Sequence, residues 1–322
     1  MEKIKKNGSK VVFLAVIALV CSWAMLSNAG SLNPSAPPGP TMKTLDEVEA
    51  RIPVQSLSGS TSAIYVITQS GSYYLTSNIN GVTDKHGIEI DANNVTIDLN
   101  GYSLIGPGKA AGSSGYGING DNSVKIFNGS ITSWRSDGIH LSNYARVTNV
   151  EVADCGGNGI TVETGSTVTG CQSHDNTLSG INAAGEGCVV SACVSINNAG
   201  TYGIYAAFSG VISNCTATRN TQKGIVAGAG GVIISCSACY NEAFCGILGF
   251  YGCTISNCTA VGNTYDGIQA SDSTINGCTS YSNSQNGVAA SNCLIIGNTS
   301  RDNTNANWSL TTCTTPNNHP SP

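Results

Sequence analysis

The chain of 322 residues is short of charge. Asp, Glu, Lys and Arg make up 10% of it, where ordinary soluble domains carry roughly 25%. Only 14 residues are Lys or Arg and the net charge is −5, which excludes a broad basic surface for nucleic acid. Aromatics are 6% and histidines number four, so any site that uses imidazole draws on a very small set. One long apolar run exists, Val11 to Leu26, and no second stretch approaches the length that spans a bilayer. The chain is filled instead by 39 Gly, 14 Cys and many Asn, Ser and Thr. Among them Ile and Val recur at regular intervals, a pattern that disordered chains lack.

Lys3, Lys5, Lys6 and Lys10 precede the apolar run, and Ser27-Asn28-Ala29 comes after it with small residues where a signal peptidase requires them. Residues 1–29 are therefore expected to be an export signal. The protein is expected to be secreted, periplasmic or on the cell surface, with no membrane span once the signal is removed. Pro34, Pro37, Pro38 and Pro40 stiffen a linker over 30–43. Thr44-Leu45-Asp46-Glu47 is a capping box, and Leu45, Val48 and Ile52 continue at helical spacing before Pro53. This predicts a short helix over 44–53 that covers the open end of the adjoining segment.

Gly followed by Ile, once by Val, recurs at Gly87, Gly117, Gly138, Gly159, Gly180, Gly203, Gly224, Gly246, Gly267 and Gly287. After a first step of 30 the intervals stay between 20 and 23, the signature of a solenoid. Other columns keep the same beat. One runs Gly129, Val150, Cys171, Cys193, Cys215, Cys236, Cys258, Cys278; another runs Asn176, Asn198, Asn220, Asn241, Asn263, Asn283, Asn303. Alternation after each Gly-Ile reads as a strand. The residues before the Cys column are mostly Asn or Gly (Asn128, Asn149, Gly170, Asn214, Asn257, Gly277, Gly297; Ala192 and Ser235 are exceptions), which suits a left-handed corner. The Asn column marks a second corner, where side-chain amides can bond from coil to coil. Three short strands and three corners in roughly 21 residues make a parallel β-helix. About ten such coils are expected over 54–307, with a tail over 308–322.

From Ile64 to Asn307 the pattern resembles the right-handed parallel β-helix repeat proteins, the superfamily that includes pectate lyases, polygalacturonases and many bacterial surface proteins. Ser72-Tyr73-Tyr74-Leu75, Gly87-Ile88-Glu89-Ile90 and Val95-Thr96-Ile97-Asp98-Leu99-Asn100-Gly101 are similar to the opening coils of bacterial members. Right-handedness is what the resemblance implies, in keeping with the chirality of parallel crossovers. Asp137-Gly138-Ile139-His140 resembles the first of the carboxylate-bearing strands of polygalacturonases. The next coils present Asn158 and Ser179 where that family has further carboxylates. The basic residues that pectate lyases use are scattered over different coils.

Thirteen cysteines remain after the signal. Stacked one coil apart with parallel Cβ directions, those of the column do not meet disulfide geometry and are expected as small buried thiols. Cys293 and Cys313, near the end, are the best placed for a disulfide. No zinc-like spacing of Cys and His occurs. Asp154 and Asp175, one period apart, are the residues that would hold a cation such as calcium; no cofactor is otherwise implied.

On the strands after Gly-Ile, outward positions bring Asp121, His140 and Glu163 onto successive coils, a candidate catalytic patch. Farther along, Tyr205, Val226, Leu248 and Phe250 form an apolar stripe suited to sugar rings or to a protein surface. Two functions stay open. One is a non-catalytic secreted β-helix that binds glycan or a surface protein on a flat strand face. The other is a polysaccharide lyase, glycoside hydrolase or epimerase on the same fold.

Overall fold

The computed structural model describes residues 51–319; the expected signal, the linker and residues 44–50 of the expected helix lie outside the described residues. Parallel strands account for nearly all regular structure. No helix among the described residues is long and apolar enough to cross a membrane.

One strand from each coil joins a sheet of 12 strands, from Ala63–Ile67 to Ala306–Thr311. We call it the Gly-Ile sheet. The sequence shows ten Gly-led strands; the first and last coils escape that count because Ile64 and Asn307 stand in the glycine column. The other strands form a continuous sheet of 21 that bends around the coil. Lys125–Thr132 and Arg146–Ala153 run straight through that bend, with Asn128 and Asn149 at φ of 66° and 52°. The corner column keeps this left-handed conformation even at Ala192 (φ 52°) and Ser235 (φ 54°).

Two boundaries differ from expectation. Arg51–Pro53, expected as the end of a helix, is a strand paired in parallel with Ser72–Tyr74. There Arg51 reaches Asp98 at 3.1 Å and lies 5.0 Å from the centre of the Tyr74 ring. The open edge of the first coil offers backbone partners that a local helix signal does not weigh. At the other end the solenoid runs past 307: Ala306–Thr311 pairs with Asn286–Ser291, and Thr314 and His319 bridge to Leu294 and Thr299.

Ile, Val, Leu, Ala and Cys side chains fill the interior, and a ladder of amides lines one corner of it. Asn176 donates Nδ2–H to Asn198 Oδ1 at 2.8 Å, and the pattern repeats through Asn220, Asn241, Asn263, Asn283 and Asn303. Each amide oxygen also accepts the backbone N–H of the preceding ladder residue, so corner groups that would be orphans have partners.

The glycine column is a consequence of this ladder. A Cβ on Gly159, Gly180 or Gly267 would strike the Oγ of Ser173, Ser195 or Ser280. Those hydroxyls donate to the carbonyls of Gly180, Gly203 and Gly287 at 2.8, 2.8 and 2.6 Å. The glycines therefore serve close approach rather than an unusual φ.

All thirteen cysteines from Cys155 to Cys313 are free thiols. Cys193, Cys215 and Cys258 direct their backbone N–H at the sulfur one coil on, at 3.4–3.5 Å. Cys293 and Cys313, expected as the best disulfide pair, do the same: Cys293 N–H meets Cys313 Sγ at 3.4 Å. Stacked parallel strands hold both side chains in the same direction, and a disulfide needs them turned toward each other.

Candidate functional site

Along the outer face of the Gly-Ile sheet, exact register lines up Glu89, Asn119, His140, Thr161, Asn182, Tyr205, Val226, Leu248 and Gln269. A second column lies just before the glycines: His86, Tyr116, Asp137, Asn158, Ser179, Tyr202, Lys223, Cys245 and Asp266. The two columns converge on one cluster near the N-terminal end.

Asp137 is its anchor. It is 8% exposed; its Oδ1 accepts the Asn158 backbone N–H at 2.7 Å and its Oδ2 accepts the Thr161 hydroxyl at 2.6 Å. His140 Nδ1 stands 3.3 Å from Asp137 Oδ2. A carboxylate can only accept, so Nδ1 carries the proton and Nε2 is left without a partner among the described residues. The hydrogen bond to Asp137, helped by the charges of Asp137 and Glu163, raises the His140 pKa above its ordinary value despite burial.

The Tyr116 ring lies 5.0 Å from the His140 ring and 5.1 Å from the His86 ring, nearly parallel to the latter. Tyr116 N–H donates to His86 Nδ1 at 3.0 Å, which puts the His86 proton on Nε2, 3.4 Å from Glu89 Oε2. That oxygen is buried without a hydrogen bond, while Glu89 Oε1 accepts from Asn119 at 2.9 Å. Burial, then the Asp137 and Glu89 charges, push the Tyr116 phenol up. Two of the chain's four histidines therefore flank one tyrosine above two carboxylates.

Of the expected trio Asp121, His140 and Glu163, only His140 lies within this cluster. Asp121 and Glu163 fall one residue past the ends of Ile118–Gly120 and Ile160–Val162, where the chain has begun to turn. Glu163 acts on His140 through its charge; the partner in contact is Asp137. Alternation gives the facing direction correctly only while the strand lasts. His86, Glu89 and Tyr116 escape the sequence reading, although the column before the glycines carries a signal for His86 and Tyr116.

Beyond Asn182 the same face turns aromatic. Tyr202 and Tyr205 stack at 4.6 Å, and Lys223 Nζ sits 5.6 Å from the Tyr202 ring and 4.2 Å from the Phe244 ring. Val226 and Leu248, expected on an exposed stripe, are 0% and 9% exposed and form a small buried cluster with Cys245 against those tyrosines. Burial pushes the Cys245 thiol up to about 12. Phe250 does face solvent, 39% exposed, because the strand bulges between Gly249 and Tyr251 and re-aims the extra residue. Tyr205, Phe208, Phe250 and Tyr251 line a recess of about 230 Å³.

The residues expected to hold a cation are engaged elsewhere: Asp154 with Lys109 at 2.7 Å, Asp175 with His174 at 2.7 Å. No group of three or more metal-ligating side chains occurs among the described residues.

Residues 114–248 match the model of the right-handed β-helix region. Among solved structures, the A-module of mannuronan C-5 epimerase AlgE4 from Azotobacter vinelandii superposes over 77% of this chain and 86% of its own, with a TM-score of 0.57 and 16% identity. The A-module of mannuronan C-5 epimerase AlgE6 from the same organism covers 83% of this chain and 94% of its own, with a TM-score of 0.53 and 13% identity. At such identities the likeness is one of fold. A search of curated protein sequences finds no match.

Proposed function

Taking the chain as a right-handed parallel β-helix, we propose that the outer face of its Gly-Ile sheet holds a polysaccharide on which His140 acts by acid–base chemistry. The observation that carries this reading is the His140–Asp137 pair beside Tyr116. A carboxylate held by two other donors fixes the imidazole through Nδ1. Nε2 is then free to give or take a proton, with the Tyr116 ring 5.0 Å away. The raised His140 pKa suits proton donation near neutrality, and the Tyr116 hydroxyl is a second group able to face substrate. Export by the signal read in residues 1–29 would place the protein where polysaccharides are.

Retention without chemistry is the second reading. It is favoured by the recess around Tyr205 and Phe250, several coils from His140, whose aromatic rings suit the apolar faces of sugars. Both readings yield to one experiment. The protein is incubated with uronate polymers, the first choice given what the two fold relatives are named for, and with neutral glucans. Unsaturated product, new reducing ends and exchange of ring protons are monitored. Turnover that His140→Gln abolishes, with polymer retention intact, supports the acid–base reading. Retention lost in Tyr205→Ala with Phe250→Ala, and no turnover on any polymer, leaves the binding reading alone standing.

A further inference from the structure

A site of another kind lies on a different wall of the coil. Lys125 and Arg146 are direct partners in parallel register, both exposed. Like charges placed opposite each other on adjacent strands repel. The in-register neighbours, Thr96 on one side and Thr167 on the other, carry no charge to offset it. Among the described residues neither cation has an ion-pair partner. In a chain with net charge −5, two adjacent unpaired cations need a reason.

The surroundings supply one. Asn94, Thr96, Ser123, Lys125, Tyr144 and Arg146 line a cleft of about 280 Å³. Tyr144 stands at its edge, 62% exposed and in the left-handed region at φ 59°, a conformation that costs a bulky residue energy. Its ring lies over the next corner, where a Cβ on Gly165 would come within 2.9 Å of it. The cleft thus combines an exposed aromatic ring, hydroxyl and amide groups, and a double positive charge.

We infer that this cleft binds a sugar residue bearing an oxyanion, sulfate or carboxylate, with the sugar ring against Tyr144 and the oxyanion on Lys125 and Arg146. Arg146 offers a forked donor and Lys125 a point charge, a combination suited to a multi-oxygen anion. The inference does not depend on chemistry at His140. Tyr240 over Gly262 makes a similar corner without an in-register cation pair, and serves as an internal control.

The test measures binding of dextran sulfate, polygalacturonate, neutral dextran and inorganic sulfate. The proteins are the full chain, Lys125→Gln with Arg146→Gln, Tyr144→Ala and Tyr240→Ala, each checked for an unchanged melting curve. Binding to at least one charged polymer should fall at least tenfold in the double variant and lose much of its salt dependence. Tyr144→Ala should weaken the polymer several-fold without changing binding of inorganic sulfate, and Tyr240→Ala should change nothing. Dextran sulfate and polygalacturonate both bound by the double variant as tightly, and with the same salt dependence, as by the unsubstituted protein overturn the site. Inorganic sulfate bound as tightly as the polymer, with Tyr144→Ala silent, overturns its assignment to a sugar. Should the double variant fold poorly, Arg146→Lys with Lys125→Arg keeps the charge and must retain binding. His140→Gln should bind as the unsubstituted protein does, which separates this result from the acid–base reading.

Discussion

The coils before Trp134 and those after Cys155 are built by different rules. In the later coils one position is Asn in every turn, its amides bond from coil to coil, and the neighbouring interior is narrow, filled by Cys, Ser and Ala. In the earlier coils the same position is Trp134, then Cys155, whose backbone N–H ends the ladder by donating to Asn176 Oδ1 at 3.0 Å. Trp134 fills the wider interior, fully buried, and donates Nε1–H to Leu104 O at 3.2 Å. Its ring lies beneath Gly87 and Gly117, the glycines beside His86 and Tyr116. The imidazole–phenol cluster therefore sits outside the coils that break the repeat. Regular coils are held by what they share with their neighbours; the irregular ones are free to vary, and local departures from a repeat are where function is expected.

The largest effect on this contrast should come from Trp134→Ala. Losing a fully buried indole costs about 3–5 kcal/mol, read as a lower urea midpoint. Because the ring supports the strands under His86 and Tyr116, the His140 and His86 ring resonances should also shift. A loss smaller than that of any ladder substitution would show that the early coils do not hang on this side chain.

Next in size is Asn241→Leu. Asn241 Oδ1 accepts from the Asn220 N–H and Nδ2–H at 3.1 Å each, and its own Nδ2 donates to Ala217 O and Asn263 Oδ1 at 3.1 and 3.0 Å. Leucine leaves buried partners unpaired at a cost of about 1–3 kcal/mol, measured by the same denaturation. A neutral result would mean that water enters the corner and replaces the amide.

His140 supplies a pH test of the other half. Its folded pKa is raised by the hydrogen bond to Asp137, above the roughly 6.5 of a free imidazole. The Asp137–His140 pair therefore adds stability that is fully present below the unfolded pKa and is lost as pH rises through the folded one. An NMR titration should give a His140 midpoint above about 6.5, and Asp137→Asn should bring it down. A midpoint at or below the free value in the unsubstituted protein would separate the two side chains in solution.

The repeat was legible in the sequence because each coil uses the same residues for the same physical purpose. Asn220 and Asn241 stand a period apart since each amide must meet the next, and Gly180 recurs because Ser195 needs its space. The site was only half legible. His140 and its Asp137-Gly138 context could be read, but the partners His86 and Tyr116 are separated by a step of 30 residues, off the beat that lines up the rest. Val226 and Leu248 do stand on the outward column, yet both are buried rather than exposed. Outward is a property of the strand, whereas exposure depends on Tyr202 and Tyr205 of the preceding coil.

The smallest effect tests how far regularity has gone in the later coils. Ala192 holds the left-handed corner at φ 52°, where its column mates Gly170, Gly277 and Gly297 sit at 64°, 61° and 62°. An L-residue there costs roughly 1–2 kcal/mol, while glycine in the unfolded chain takes back about 0.5–1 kcal/mol of that advantage. Ala192→Gly should therefore stabilise the protein by at most about 1.5 kcal/mol. The reverse change, Gly277→Ala, should cost more than this, since the added Cβ would also come within 2.8 Å of Asn257 Oδ1. The two effects should add in one chain if coils couple only to their neighbours, because four coil-to-coil steps separate the two positions. A destabilised Ala192→Gly would mean that the corner is set by the side chain rather than endured by it, and the later coils would then be less uniform than their sequence.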